Sequence, residues 1–466
     1  MAIKRSERLQ REGGFILITM YLLLAVCLVL LTATITHSFA EIRASQRLQS
    51  AGRAFYLAEA GVDQALSWIR AQGAPPVFTD ERMIFPNGIT QPLGPPLVGN
   101  DPGPLTAANG WRPLGGGGLG FYRVSIDPDN NNPVSFIDRY VLQGWGATGI
   151  LDQATNQIVA TSLRRTRFIV QTTSFSQYAW FTNAETNAAG TPVWFITGAR
   201  IDGPAHTNGR FNIFGGPVFN GPVSSVAPAL NLWGGLGPPT NNPQFNGGLR
   251  LGVQAPPMPF PTAIPAPLVN AAGNGGRLLK GNTQITLLAD GTMQVTNAAS
   301  GFNNTVLPLP VNGVLYVQGG DVTLQGTLNG QMTIATDQNV RIANPVTYAS
   351  NPQVDPNSDD LLGIVAGRNV IVAQNAPQNM RIDGSVMALN TSFTVENYTV
   401  GPPKGALTVW GGIIQNRRGP IGTFNSGGRV SGYIQDYHYD NRLLSIVPPF
   451  FPTTGDYTPI VWEDRE

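Results

Sequence analysis

The sequence predicts an α+β protein that is mostly β: a long N-terminal transmembrane helix, a small antiparallel sheet, then a β-solenoid, with a β-sandwich as the alternative for that last part. Three observations predict it. An apolar run reaching Ala40 passes without a break into a striped segment that ends near Gln72. Between Tyr122 and Val170, three segments alternate or cluster β-branched and aromatic residues. From about Ser174 onward, very short apolar-x-apolar cores recur between Gly, Asn and Asp.

Residues 11–40 read REGGFILITMYLLLAVCLVLLTATITHSFA. The apolar part carries no charge, and roughly 20 residues rising 1.5 Å each suffice to cross a bilayer. Lys4, Arg5, Arg8 and Arg11 outnumber Glu7 and Glu12 before it, which favours a cytoplasmic N-terminus and an exterior for the rest. Cys27, the only cysteine, lies inside this run. It reads as a small apolar side chain, and no intrachain disulfide is possible.

A secretory signal has a shorter apolar core and is cut on its far side. Here the candidate cut precedes the apolar run, at Gly13-Gly14-Phe15, and this junction resembles the class III leader of type IV prepilins. The resemblance implies cleavage between Gly14 and Phe15 by a prepilin peptidase and N-methylation of Phe15, with the apolar helix retained.

Beyond the apolar run, Leu48, Ala51, Phe55, Ala58, Val62, Ala65 and Ile69 follow a 3-4-3-4 spacing, an apolar seam on one helical face. From Phe15 to Gln72 one continuous helix would be about 85 Å long. Within it, AEAGVDQAL from Ala58 to Leu66 is similar to the segment that follows the transmembrane helix of PilX-type minor pilins and pilus assembly proteins. One position departs from the major pilins. They carry a glutamate four residues beyond the first mature residue, paired with a neighbour's N-terminal amine, whereas this chain has Thr19. PilX-type proteins and the tip K subunit of type II secretion also lack that glutamate. The resemblance therefore implies a minor or initiating subunit whose partners are other pilins, the prepilin peptidase, the membrane and the inner-membrane assembly machinery. It also implies a single-pass protein of the bacterial inner membrane with its exterior domain periplasmic or carried on a filament.

Composition bounds the exterior. Of 466 residues, about 390 lie beyond the helix, room for two ordinary domains. With 55 Gly and 38 Pro, helices are poorly supported there. The balance of 29 basic against 28 acidic residues leaves no electrostatic footprint for nucleic acid. The expected organisation is a leader at 1–14, a transmembrane and stalk helix at 15–72, a pilin-like connector and sheet at 73–173, and a solenoid-like domain at 174–466.

The sheet elements are Tyr122–Ile126, Arg139–Leu142 and Arg165–Val170, expected to cover the helical seam, since neither partner buries its apolar face alone. The later strands include VLYV at 314, DVTLQG at 321, QMTIAT at 331, NVRIAN at 339, LGIVAG at 362 and NVIVAQ at 369. Such short, regular strands suit stacked rungs. A Pro/Gly/Asn-rich stretch near 226–276 reads as a surface insertion or linker. The HTNG and YHYDNRL segments at His206 and Tyr437 resemble an uncharacterised domain of bacterial proteins with PilX-like leaders, over most of 174–466, which implies no known chemistry.

Catalysis has little support. His438 and Asp440 are two apart, so in a strand they share a side and can hydrogen-bond, but no serine elbow, zinc signature or phosphate loop accompanies them. The expectation is a protein that is not an enzyme and takes no cofactor. Asp355-Pro-Asn357-Ser-Asp359-Asp360 and Asp127-Pro-Asp129-Asn-Asn131 place oxygens at alternate positions like the start of a calcium loop. Without an EF-hand's glycine and final glutamate they read as turns. Trp410, Tyr433, Tyr437 and Tyr439 read as core and turn packing ahead of sugar stacking.

Overall fold

Nothing between Ile3 and Gln72 stops a helix: the first prolines are Pro75 and Pro76, two residues after Gly73. The computed structural model has helix α1 over Ile3–Gln72. It describes residues 3–72, 77–78, 83–84, 105–106, 109–114, 120–132, 137–152, 154, 157–234, 240–253, 257–425 and 428–465, with side chains on α1 from Leu17 to Arg70. Most of the expected connector at 73–120 lies outside the described residues. Hydroxyls inside the apolar stretch turn back onto the helix: Thr32 Oγ1 donates to the Leu28 carbonyl at 3.0 Å and Thr36 Oγ1 to that of Thr32 at 2.9 Å. These threonine hydroxyls are satisfied within the helix itself.

A five-stranded antiparallel sheet covers the upper half of α1. Its strands are Arg112–Pro113, β1 (Gly120–Pro128), β2 (Arg139–Asp152), β3 (Gln157–Ser174) and β4 (Thr453–Arg465), in that spatial order. Val62, Ala65, Leu66 and Ile69 pack on Val124, Ile126, Tyr140, Leu142, Val170 and Tyr457. The strand β4 belongs by sequence position to the region 174–466, yet it pairs with β3 along its length, Thr453 opposite Ser174 and Trp462 opposite Phe168. The β-rich region is thus inserted between two adjacent strands of the small sheet.

That region is built from parallel ladders. In the longest, strands pair in the order Arg277–Lys280, Val314–Gln318, Gln331–Thr336, Leu361–Ala366, Met380–Ala388, Pro403–Arg417, Trp180–Ala184, Ala205–Thr207, Val223–Ser225 and Leu249–Leu251, each parallel to the next. Shorter parallel ladders run through Thr283–Leu288, Val322–Leu328, Val340–Tyr348, Val370–Val372 and Phe393–Val395, through Phe195–Ile196, Asn212–Phe214 and Asn231–Leu232, and through Arg200–Ile201, Val218–Phe219 and Gln244–Phe245. An antiparallel sandwich has no such pairing.

The chain joins the long ladder in its middle, at Trp180. It winds outward to Leu251, crosses to the far end at Arg277, and winds back until Ile413–Gln415 pairs with Trp180–Thr182. The expected insertion at 226–276 is corrected. Its first part holds the strands Asn231–Leu232, Gln244–Phe245 and Leu249–Leu251. Its second part, with helix α2 (Ala266–Gly273), lies on the outer side of the long ladder and buries Met258, Leu268, Ala271 and Ala272 against Phe181, Val314 and Ile414. Strands of two or three residues look like linker because most of each coil is turn.

Candidate assembly surface

The lower half of α1 exposes apolar side chains all round, from Leu17, Ile18 and Met20 to Ile35 and Phe39. A window within Leu17–Arg70 has mean hydropathy 2.5, and this is the one helix among the described residues long and apolar enough to cross a membrane. A helix apolar on every side is matched to lipid or to other helices. Thr19 lies on it, exposed. At Gly14 and Phe15 only the helical backbone is described.

The upper half is two-sided. Ala54, Leu57, Ala58, Val62, Ala65 and Ile69 are buried, and the backbones come so close that small residues are obligatory. A Cβ on Gly146 would sit 1.9 Å from the Ala54 carbonyl oxygen, and one on Gly144 would sit 2.4 Å from that of Ala58. The expected seam needs two corrections. Leu48 is 74% exposed, on the side of the seam toward the apolar half of α1. Phe55 is half-buried at the flank, its ring edge-on to Trp462 at 6.2 Å. The buried stripe instead runs through Ala54 and Leu57, because a 3.6-residue helix drifts off a strict 3-4 seam. On the outer flank, Gln49, Gly52, Arg53, Tyr56, Leu57 and Leu114 border an apolar groove of about 630 Å³. The last turn of α1 is tied to β4: Arg70 Nε lies 2.5 Å from Asp456, and its Nη2 donates to the Tyr457 carbonyl at 2.7 Å.

The polar residues singled out by sequence are used locally. Asp440 accepts from Arg442 Nη2 at 2.6 Å and caps the turn Asn441–Leu444. His438 does not meet it; its Nδ1 lies 2.9 Å from Asp202 and its Nε2 2.8 Å from Asp436. The reversal follows from Asp440 lying past the end of the strand Gly428–His438. In the first acidic turn Asp355 accepts from Ser350 Oγ at 2.7 Å and from Asn357 N at 3.0 Å, while Asp360 accepts from the backbone of Gly330 and Ser350. In the second, Asp127 accepts from Ser125 Oγ at 3.1 Å, and Asp129 accepts from Asn131 N and lies 3.4 Å from Arg139. Tyr433, Tyr437 and Tyr439 are buried, and Trp410 stacks on His438 with ring centres 5.5 Å apart.

Two arrangements escaped sequence reasoning because their partners are distant in the chain. Arg418 and Glu185, both buried, pair at 3.0 Å, with the guanidinium 3.4 Å from the Phe195 ring centre. Burial depresses the Arg418 pKa, opposed by Glu185. His206, also buried, lies 2.7 Å from Ser224 Oγ and 3.3 Å from Asn208 Oδ1. A groove of about 480 Å³ lined by Tyr178, Pro204, Pro222, Ser224 and Arg250 opens beside it. The signal was present: Asp202-Gly-Pro-Ala-His206, Asn220-Gly-Pro-Val-Ser224 and Asn246-Gly-Gly-Leu-Arg250 form a repeat whose members stack. Asn246 donates to Asn220 at 2.7 Å and Asn220 to Asp202 at 2.5 Å.

A family model described as a domain of unknown function (DUF4900) matches residues 136–227. The match takes in β3 and the first coils, with His206-Thr-Asn-Gly, and stops short of Tyr437. No curated protein matches the chain. Among solved structures it is similar to the competence-associated pilin ComZ from Thermus thermophilus at 14% identity, over 89% of this chain and 97% of that one, with a TM-score of 0.34. That overlap does not define a common fold.

Proposed function

We propose that this chain is a minor, PilX-like subunit of a type IV pilus or a related secretion-type filament, displaying its β-rich region, closed into a β-solenoid, for assembly or adhesion. The observation that carries the reading is the continuity of α1. One helix runs from a basic, glycine-ended leader through an all-round apolar stretch into a half that packs small residues on a five-stranded sheet. The exposed apolar half and the groove beside Tyr56 leave faces for neighbouring helices, which suits assembly with other pilins. Thr19 lacks the carboxylate that would pair with a neighbour's amine, so this subunit fits where that pairing is not required. The prepilin peptidase and the inner-membrane assembly machinery are the remaining partners of this reading. The residues the sequence raised for chemistry hold coils and turns together, which supports a structural role over catalysis.

Mass spectrometry of the native N-terminus tests the proposal. The expected first residue is N-methylated Phe15. A chain intact from Met1, or one trimmed beyond Ala40, would remove the pilin reading and leave a membrane-anchored adhesin in the first case.

A further inference from the structure

Just above the apolar stretch, helix α1 and strand β3 border an open pocket of about 500 Å³ lined by Arg43, Arg47, Ser50, Thr161, Ser162 and Arg164 among others. No carboxylate lines it among the described residues. The nearest acid along the helix, Glu41, is 3.3 Å from His37 on the same helix. Counting up from Ala40, Arg43 lies about 4.5 Å and Arg47 about 10 Å along the axis. A bilayer's headgroup layer adds roughly 5–8 Å beyond the hydrocarbon on each side. Arg43 therefore falls at headgroup height, and the long side chain of Arg47 can reach down to it.

A second feature arrives at the same height independently. Strand β2 passes Ala58 and Val62 at Gly144 and Ala54 at Gly146, so it descends toward the membrane. Four residues further, at about 3.4 Å each, Ile150 lies roughly level with Arg43 to Arg47. Ile150 pairs directly opposite Val159, so both side chains project from one face of the hairpin, and they are 57% and 47% exposed. Cations beside exposed aliphatic side chains form the surface that fits a lipid phosphate with its acyl chains below.

We propose that this pocket binds the phosphate of an anionic phospholipid in the outer leaflet of the membrane that α1 spans, with Ile150 and Val159 resting on the interface. The Arg43 and Arg47 guanidiniums and the Thr161 and Ser162 hydroxyls supply donors suited to phosphate oxygens. The pocket volume lies in the range that encloses a small polar headgroup. The bound lipid would hold the sheet, and the β-rich region inserted in it, against the bilayer before assembly. This rests on the membrane-anchored reading of α1.

The test uses the full chain in nanodiscs of phosphatidylcholine alone or mixed with phosphatidylglycerol. Hydrogen exchange is read over residues 157–164, and flotation is read separately on liposomes of the same compositions. The expected result is roughly tenfold slower exchange in the anionic discs. That protection should be lost in Arg43→Gln/Arg47→Gln, whose exposed sites lie outside the core, and reduced in Ile150→Ser/Val159→Ser, with every protein still floating. Equal exchange in both lipids, or unchanged protection in the arginine variant, overturns the proposal alone. Protection reproduced by inorganic phosphate in phosphatidylcholine discs assigns the pocket to free anions and also overturns it. A chain that does not float overturns the membrane reading and the proposal with it.

Discussion

His206 shows how a single residue carries consequences that the coil around it imposes. Asn208 donates its amide to the Met258 carbonyl at 2.8 Å and to Asn183 at 3.0 Å, so its Oδ1 faces His206 as an acceptor. The imidazole Nε2 must then donate, leaving Nδ1 to accept from Ser224. Burial lowers the pKa to about 4, only partly opposed by Asn208. The ordinary value is about 6.5, so as pH falls the unfolded chain takes the proton first. The stabilisation is complete above about 6.5 and is lost as pH falls toward 4, on the order of 3 kcal/mol in the limit. Urea unfolding of the wild type and of His206→Gln at pH 7.5 and 4.5 checks this. The variant should lose less stability between the two, and identical losses would show that His206 is not the titrating group.

At the scale of elements, the helix–sheet junction depends on close approach. The Gly146 position has no room for a methyl group beside the Ala54 carbonyl, so Gly146→Ala should cost about 1–3 kcal/mol through overpacking. Limited proteolysis should then open α1 above residue 48. Leu48→Ala, at an exposed site, should leave both unfolding and proteolysis unchanged; a loss of stability equal to that of Gly146→Ala would mean the sheet grips the helix lower down. Sequence made the helix, its length and the sheet strands near Tyr122, Arg139 and Arg165 legible, since each rests on local periodicity. It did not show that Gly144 and Gly146 set the spacing, nor that the buried stripe passes through Ala54 and Leu57. Those follow from which face the sheet meets. Trp462 at the flank belongs to a strand that reaches the sheet from nearly 300 residues downstream in the register with Phe168.

Across the whole molecule, an inserted region that is entered and left in the middle of its own stack must close a seam. Backbone pairing supplies part of it, Ile413 to Gln415 against Trp180 to Thr182. Arg418 supplies another part, donating to Glu185 at 3.0 Å and to the carbonyls of Val193 and Trp194 at 3.2 Å. Arg418→Met leaves the Glu185 carboxylate buried without its cation, and about 3–5 kcal/mol should be lost. Thermal unfolding of this variant beside Glu185→Gln/Arg418→Met separates causes. The double variant should recover part of the loss because no charge remains buried, and no recovery would place the cost in lost packing on Phe195 and Trp180. At the other side of the seam, the Phe175 amide donates to the Pro452 carbonyl at 3.0 Å, so the strands leading into and out of the stack are held as a pair on the small sheet.

The sequence by itself determined that the chain starts with a membrane-length helix, that a small antiparallel sheet follows, and that the remainder is short strands separated by turns. Each of these depends on apolar spacing, glycine and proline over a few consecutive residues, and such signals act locally. Only the tertiary structure decided that the stack is entered at Trp180, that residues 257–276 run over its outer face, that β4 returns to the small sheet, and that His438 meets Asp202 while Asp440 holds Arg442. Those are pairings between residues tens to hundreds of positions apart. Many partners of equal local character exist for each, and the choice among them is made by which arrangement buries the shared faces together.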